Sequence, residues 1–297
     1  MHGQVAYIKQ RSEATAIGIS LLLKLLVSSR LALKSPTINL RAAAMASSTH
    51  VVLCAPQKPK DKPSLSGFCQ KLEVFLRYSG ISYELRDGHP HQGPKGKIPF
   101  AEITHDGHTV VVPDSHFIIR YLIEHNLIKD PDDLAGLTAE QRAESRAFQA
   151  FIEETYFAIV YERWCIPENY EVTMREIVGN APWLLRLYLG WTLYRRVTSA
   201  LWGAGMGRHS WEDVQTLQRE AFEALEVKLQ GHKYFYGDER PSRIDLTVYG
   251  FLANILTAEG NPHFSNMILG SKVMRSFVRE MTTALFPEYN ELLKKVE

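Results

Sequence analysis

The chain has 297 residues, 45% of them apolar and 23% charged, enough for two hydrophobic cores and ordinary for a globular protein. Three cysteines, Cys54, Cys69 and Cys165, are too few and too scattered for a disulfide framework or a zinc cage, which points to a reducing compartment. The net charge of +1 hides an asymmetry: residues 1–49 hold six basic residues and one acid, leaving 28 basic and 32 acidic residues elsewhere, a balance without the basic footprint that nucleic-acid binding requires.

Residues 1–49 read as an addition to the fold. They are basic, acid-poor and serine-bearing, as mitochondrial transit segments are. Their apolar run Ala16–Val27 is interrupted by Lys24 and falls short of the about 20 residues a membrane span needs. A second reading takes Met45-Ala46-Ser47-Ser48 as the natural start and everything upstream as a spurious leader. The leader reading places the protein in the cytoplasm, the transit reading in mitochondria.

His50–Ala55 is a β-branched apolar run and predicts a first strand. The Pro- and Lys-rich stretch Pro56–Pro63 allows neither helix nor inner strand. Leu65, Phe68, Leu72, Phe75 and Leu76 recur at helical spacing and predict a helix over 65–79, closed by Gly80. Ile81–Arg86 alternates as a second strand, and the βαβ order predicts a parallel pair. Residues 99–104 and 109–113 flank Asp106-Gly107, a strong hairpin signal, and a helix follows over 115–125. This order describes a thioredoxin-like domain over 50–128. Asp130-Pro131-Asp132-Asp133 marks a linker over 129–137. Residues 138–297 show only helical periodicity, broken at Pro167, Pro182, Gly203–Gly207, Gly231, Pro241 and Pro262, and predict an all-helical domain.

Several residues in this frame bear chemistry. If the Ile98-Pro99 bond is cis, the backbone groups of Ile98 face a groove and pair with an extended peptide ligand; a trans bond leaves an ordinary strand start. Asp114 is a good N-cap for the apolar helix beginning at Ser115, and the same helix start, with free N–H groups and a hydroxyl, attracts a carboxylate. Ser66 opens the first helix, either as a plain N-cap or as a donor to a bound thiol, with Ser64 in reserve. The second role is energetically feasible. Lowering a thiol from about 8.5 by two pH units takes about 2.7 kcal/mol; a hydrogen bond to a charged group supplies roughly 1.5–3 kcal/mol and the helix dipole about 0.3–1 kcal/mol more. Cys69 stands three residues after Ser66, where a redox pair would have its second cysteine, but the first position is serine and the thiol falls on the apolar helix face.

Further along, Tyr156 and Trp164 sit in an aromatic stripe, as core or as the wall of an apolar pocket beside a bound thiol. Ser242-Arg243-Ile244-Asp245 is a capping box in which Asp245 accepts the Ser242 N–H, a folding signal. Pro182–Trp202, with Arg186, Arg195 and Arg196 among its aromatics, reads as a packed amphipathic helix in preference to a membrane-contacting one. Gly88–Gly93 has phosphate-loop spacing but continues with Pro94 in place of lysine. His89 and His91 have no partner cluster for a metal.

In combination, Ile98-Pro99-Phe100, Asp114-Ser115 and Ser242-Arg243-Ile244-Asp245 resemble the glutathione S-transferase superfamily. Ser66-Gly67-Phe68-Cys69-Gln70-Lys71-Leu72-Glu73, Asp114–Ile119, Arg163-Trp164, Gly205–Ser210 and Phe235–Leu252 are similar to its failed-axon-connections and metaxin branch. The resemblance runs from about His50 to the C-terminus and implies a thioredoxin-like domain followed by an all-helical glutathione S-transferase C-terminal domain.

It further implies glutathione as co-substrate without a metal. Ile98 and Pro99 would align the tripeptide backbone, Asp114 and Ser115 hold the γ-glutamyl end, Ser66 stabilise the thiolate, and Tyr156 and Trp164 flank a small electrophile. A homodimer is the superfamily's expectation. Two departures stand out: Gly67 occupies a position where proline is common, which would loosen the Ser66 loop, and the stretch from Pro99 to Asp114 is a few residues longer than usual, which would shift the acid-serine site. The branch also contains transport-complex and neuronal proteins, so a non-catalytic adaptor or membrane-associated scaffold is the alternative to an enzyme.

Overall fold

The computed structural model describes residues 49–297; the basic extension read from the sequence lies, save Thr49, outside the described residues. Strand β1 (His50–Ala55) leads through the proline-rich loop into helix α1 (Gly67–Ser79) and strand β2 (Tyr83–Asp87). A 3-10 turn, Pro90–Gln92, precedes the hairpin of β3 (Phe100–His105) and β4 (His108–Pro113), and helix α2 (Ser115–Glu124) closes the unit. The sheet order is β2-β1-β3-β4, with β1 and β2 parallel and the other pairs antiparallel. The parallel pair, the hairpin and both helices follow the sequence expectation. Asp106 and Gly107 turn the hairpin with φ of 50° and 77°, the positive values a two-residue turn of this hand requires. Gly80 ends α1 at φ 70°.

The remainder is helical: α3 (Pro131–Leu134), α4 (Ala139–Cys165), α5 (Pro167–Val178), α6 (Trp183–Gly203), α7 (Trp211–Leu229), α8 (Arg243–Thr257), α9 (Pro262–Gly270), α10 (Lys272–Leu285) and α11 (Asn290–Lys295). Pro167 and Pro262 begin their helices at the first turn, where the missing N–H costs nothing. No described helix is long and apolar enough to cross a membrane.

The stretch read as a linker is more than a tether. Asp130 caps α3 and, nearly buried, accepts the Arg243 guanidinium, with Nε to Oδ1 at 2.6 Å. The Arg243 backbone N–H donates to Asp132 Oδ1 at 2.8 Å. Burial alone would raise the Asp130 carboxyl, but Arg243 and the Asp132 N–H hold it below the usual carboxylate range.

One core runs through both halves, joining Val51 and Leu53 of β1, Leu72 and Phe75 of α1, and Leu246, Tyr249 and Ile255 of α8. Helices α1 and α8 approach so closely that a Cβ on Gly250 would lie 2.7 Å from the Lys71 Cα. Glycine is required there for the contact itself.

The loop leading into α1 is clamped from the helical half. Asn254 Nδ2 donates to the Ser64 carbonyl at 2.7 Å, and Arg163 Nη1 to the Leu65 carbonyl at 2.9 Å. Tyr156 accepts the Gly67 N–H at 3.0 Å and donates its own proton to Asn254 Oδ1 at 2.8 Å. A Cβ at position 67 would sit 2.5 Å from the Tyr156 ring. Here the sequence expectation is corrected: Gly67 does not loosen the Ser66 loop. A proline would remove the N–H that Tyr156 accepts, and any side chain would displace its ring.

Helix α8 begins as the capping box predicted. Asp245, fully buried, accepts the Ser242 N–H at 2.8 Å, the Ser242 hydroxyl at 2.6 Å and the Phe235 N–H at 2.8 Å. Burial pushes its carboxyl up to about 6 against these three donors.

Two stability predictions follow from these contacts. Tyr156→Phe leaves the Gly67 N–H without an acceptor and removes the donor to Asn254, so urea unfolding should show a loss of about 1–3 kcal/mol. Asp245→Ala orphans three buried donors and should cost more, about 3 kcal/mol or above. Because the folded pKa of Asp245 is raised, its stabilising contribution is complete below the unfolded pKa near 4 and is lost as pH rises through about 6. The stability deficit of Asp245→Asn should therefore narrow between pH 4 and 6; a deficit that widens over this range would contradict the assignment.

Candidate functional site

Two helix starts and one strand start compose the candidate site. The Ile98-Pro99 bond is cis. The ladder begins at Phe100, so Ile98 lies outside the strand pairing. The Pro99 carbonyl accepts the Asp114 N–H at 3.0 Å, which closes the hairpin base just where α2 begins. The added hairpin length therefore does not move the acid-serine segment away from Pro99. In an antiparallel ladder extra residues lengthen both strands equally, here out to the His105–His108 pair beyond Thr104–Thr109.

Asp114 holds φ at 79°, a backbone state rare outside glycine. Such outliers gather where a function over-determines the local structure. Its carboxylate accepts the His116 N–H at 2.9 Å and caps α2 as expected. Ser115, only 3% exposed as a residue, forms no side-chain hydrogen bond with the described residues. The N–H groups of Ser115 and Phe117 lie in the first turn, where a helix has no internal acceptor for them. This start offers open donors beside a fixed carboxylate.

Several charged groups surround it. Lys71 is fully buried and reaches Glu153, which also accepts Gln149 Nε2 at 2.7 Å. Burial pulls the Lys71 ammonium down while Glu153 supports its charge. Burial would raise Glu153, but Lys71 and Gln149 hold it below its ordinary value. His116 is lowered by burial and by the nearby Lys71 and Arg146 charges, against Glu153 and Asp114. The Lys95 ammonium stands 4.3 Å over the ring of Phe117, itself exposed. Sequence reasoning passed over Lys71, Lys95 and His116. Lys71 did carry a signal, since a lysine three residues after Phe68 and four before Phe75 falls on the apolar face of α1.

A cavity of about 190 Å³ opens beside α2, lined by His116, Ile119, Arg120, Gln149 and Arg243 among others. It borders the acid-serine helix but does not include Ser66 or Ile98.

Ser66 is the N-cap residue of α1, half-buried, and its side chain makes no cap hydrogen bond. Its N–H donates to Ser64 Oγ at 3.2 Å, so the reserve candidate Ser64 serves the loop. Burial drives the Cys69 thiol up to about 12, and the adjacent Ser66 hydroxyl opposes that shift. Cys69 is thus an inert core thiol, as read from the sequence.

Tyr156 and Trp164 take the core alternative of the sequence reading. Both are buried. Tyr156 is held by Gly67 and Asn254 and stacks on Phe251 at 4.6 Å between ring centroids; the apolar cavity it lines measures about 20 Å³, too small for a substrate. Trp164 packs in a satellite core with Met174 and Val178. Among the described residues no cluster of three or more His, Cys, Asp or Glu side chains is placed to hold a metal.

Similarity to known proteins agrees with this layout. Residues 67–169 match the family model of the glutathione S-transferase N-terminal domain, and residues 218–281 that of the glutathione S-transferase C-terminal domain. The chain is 31% identical to the isoprene-epoxide–glutathione S-transferase of Rhodococcus sp. (strain AD45) over 65% of this chain and 81% of that protein. It is 29% identical to failed axon connections of Drosophila melanogaster over 79% of this chain, and spans 58% of that protein's length. Human metaxin-2 is 24% identical over 73% of this chain and 81% of its own. A solved structure of glutathione S-transferase III in apo form superimposes with a TM-score of 0.50 at 14% identity, covering 84% of this chain and 96% of that one, a likeness of fold. The chain belongs to the glutathione S-transferase superfamily, in its failed-axon-connections and metaxin-like branch.

Proposed function

We propose that the protein binds glutathione at the acid-serine start of α2 and conjugates its thiolate to a small electrophile. The observation that carries this reading is the Ser115 hydroxyl and first-turn N–H groups left open beside Asp114, whose unusual backbone is tied to the Pro99 carbonyl. In this reading the γ-glutamyl carboxylate accepts from Ser115, Asp114 takes the ligand's ammonium, and Ile98 pairs with the tripeptide backbone ahead of Pro99. Ser66 donates to the thiolate. The sulfur then attacks an electrophilic carbon, an S–C bond forms, and the leaving atom departs with the bonding pair and takes a proton from water. The relative with 31% identity is named for glutathione transfer to an epoxide, which supports an epoxide as the first electrophile to try.

Two observations favour the second reading, a non-catalytic adaptor. The Gly67 N–H at the head of α1 is already spent on Tyr156, and the Ser66 hydroxyl stands against Cys69. Both reduce what the helix start can give a bound thiolate.

Calorimetric titration of glutathione into the full chain tests binding. Saturable heat is expected, and Ser115→Ala should weaken it at least tenfold, the lower end of what a charge-assisted hydrogen bond is worth. An absence of binding would sink both glutathione roles. Conjugation of glutathione to a small epoxide, followed by thiol loss, tests the chemistry. Ser66→Ala should leave the affinity within about threefold while lowering the rate at least tenfold. Binding with no turnover in the unsubstituted protein would leave the adaptor reading.

A further inference from the structure

The outer face of α6 is unlike the rest of the described surface. Trp183, Leu184, Leu187, Trp191 and Trp202 are each 59–66% exposed, and Tyr188 is nearly half exposed. They recur at intervals of three and four residues, with a longer step to Trp202, so they form one stripe along a helix about 30 Å long. The opposite face is already partnered: Leu189, Leu193 and Val197 pack on the satellite core of Trp164, Met174 and Val178. A helix apolar on both sides is ordinarily covered on both sides. The sequence expectation of a packed amphipathic helix thus holds for only one face.

The polar residues on α6 do little to hydrate the bare stripe. Thr192 and Thr198 turn their hydroxyls back to the Tyr188 and Tyr194 carbonyls at 3.0 and 2.7 Å. The charges are Arg186, Arg195 and Arg196, and the helix contains no acid. The Arg195 guanidinium lies 5.2 Å over the Trp191 ring, and Arg208 lies 5.4 Å over Trp202. Arg196 donates to the Gly96 carbonyl, which fastens α6 beside the loop that leads into Ile98-Pro99.

We propose that α6 is an interfacial docking helix that seats the protein on an anionic lipid surface. Exposed tryptophan, tyrosine and leucine flanked by arginine is the combination that partitions into a headgroup boundary, with the rings at the interface and the guanidinium groups among anionic headgroups. A second copy of this chain is a poorer occupant: a two-fold pair of such faces would bring Arg195 and Arg208, which lie over Trp191 and Trp202, against their own copies with no acid on either α6 helix. The stripe lies along the bilayer plane, consistent with the absence of any described helix able to span. The docking does not rest on the proposed transferase reading.

Flotation of the full chain with vesicles tests the proposal. The protein should float with phosphatidylcholine vesicles containing 30 mol% phosphatidylserine and largely fail to float with phosphatidylcholine alone. Leu184→Glu/Leu187→Glu, which keeps every tryptophan, should lower the bound fraction at least tenfold. Arg195→Glu/Arg208→Glu should do likewise on the anionic vesicles, since each arginine near such a surface contributes about a fivefold factor. Brominated lipid should quench tryptophan emission in the unsubstituted protein, a readout that stands even if a variant misfolds. Flotation unchanged by both variants would assign attraction to the basic segment 1–49 and overturn the proposal. So would an unsubstituted protein that stays in solution, or a dimer in light scattering that Leu184→Glu/Leu187→Glu converts to monomer.

Discussion

The arrangement on which the rest of this structure depends is a buried guanidinium satisfied by neutral oxygens. Arg163, 5% exposed, donates to Asn261 Oδ1 through Nε at 2.9 Å and through Nη2, to the Leu65 carbonyl, and to Asn254 Oδ1 at 3.3 Å. Among the described residues no carboxylate stands within ion-pair distance of it. A charge so placed is tolerable only when its donors are occupied, which obliges Asn254 and Asn261 to stay where they are. Asn261 is tied in turn to the Ile159 carbonyl at 2.8 Å, and Asn254 to Tyr156 and Ser64. The head of α1 is therefore positioned by the helical half of the molecule, and the thioredoxin-like half does not set it alone. Where the loop at Ser66 sits is a consequence of polar satisfaction inside the other half's core.

The α1–α8 contact explains why such a network can reach so far. With Gly250 lying against the Lys71 backbone, the two helices meet at minimal separation, and Asn254, one turn further along α8, falls opposite the loop entering α1. The capping box fixes where α8 begins, and Asp130 fixes Arg243 at its first position. Start, close approach and clamp are three points on one helix. A shift of α8 by one residue would lose all three together. Interiors packed to this density do not deform gradually, so the interface between the halves behaves as one cooperative surface.

Much of the architecture was legible because its signals are local. Gly80, Asp106-Gly107 and Asp114 each impose a backbone state that their own chemistry favours, and the elements between them follow from spacing. The capping box at Ser242 and Asp245 spans three residues and reads directly. What the sequence did not reveal spans many more. Tyr156 meets Gly67 across 89 positions, Arg163 meets Leu65 across 98 and Arg243 meets Asp130 across 113. No periodicity encodes such pairings. An aromatic stripe on α4 reads first as core and also suits a pocket wall, and the position of the α1 loop decides which contacts Tyr156 makes. The same holds for Gly67: its neighbour Ser66 suggests a loop function, whereas the reason for the glycine is a ring delivered from the other half. The bare α6 stripe was not legible for a related reason, because apolar periodicity reports that a helix has apolar faces and not how many of them find a partner.

These constraints divide the candidate site into two parts of different character. The α1 side is rigid and internally satisfied, its first N–H given to Tyr156 and its hydroxyl set beside a core thiol. The α2 side is open, with Ser115 and first-turn donors unspent, the Lys71–Glu153 pair behind it and the Lys95 ammonium over Phe117. Recognition of an anionic ligand needs only the second part, while activation of a bound thiol needs the first as well. The two capacities are physically separable within one cleft. A fold that keeps α2 unchanged and lets the head of α1 exchange a ligand-facing donor for an internal hydrogen bond can move between transferase and binding protein with little cost in stability, since the displaced N–H remains satisfied either way. A superfamily holding both an epoxide transferase relative and metaxin relatives is what such separability would permit.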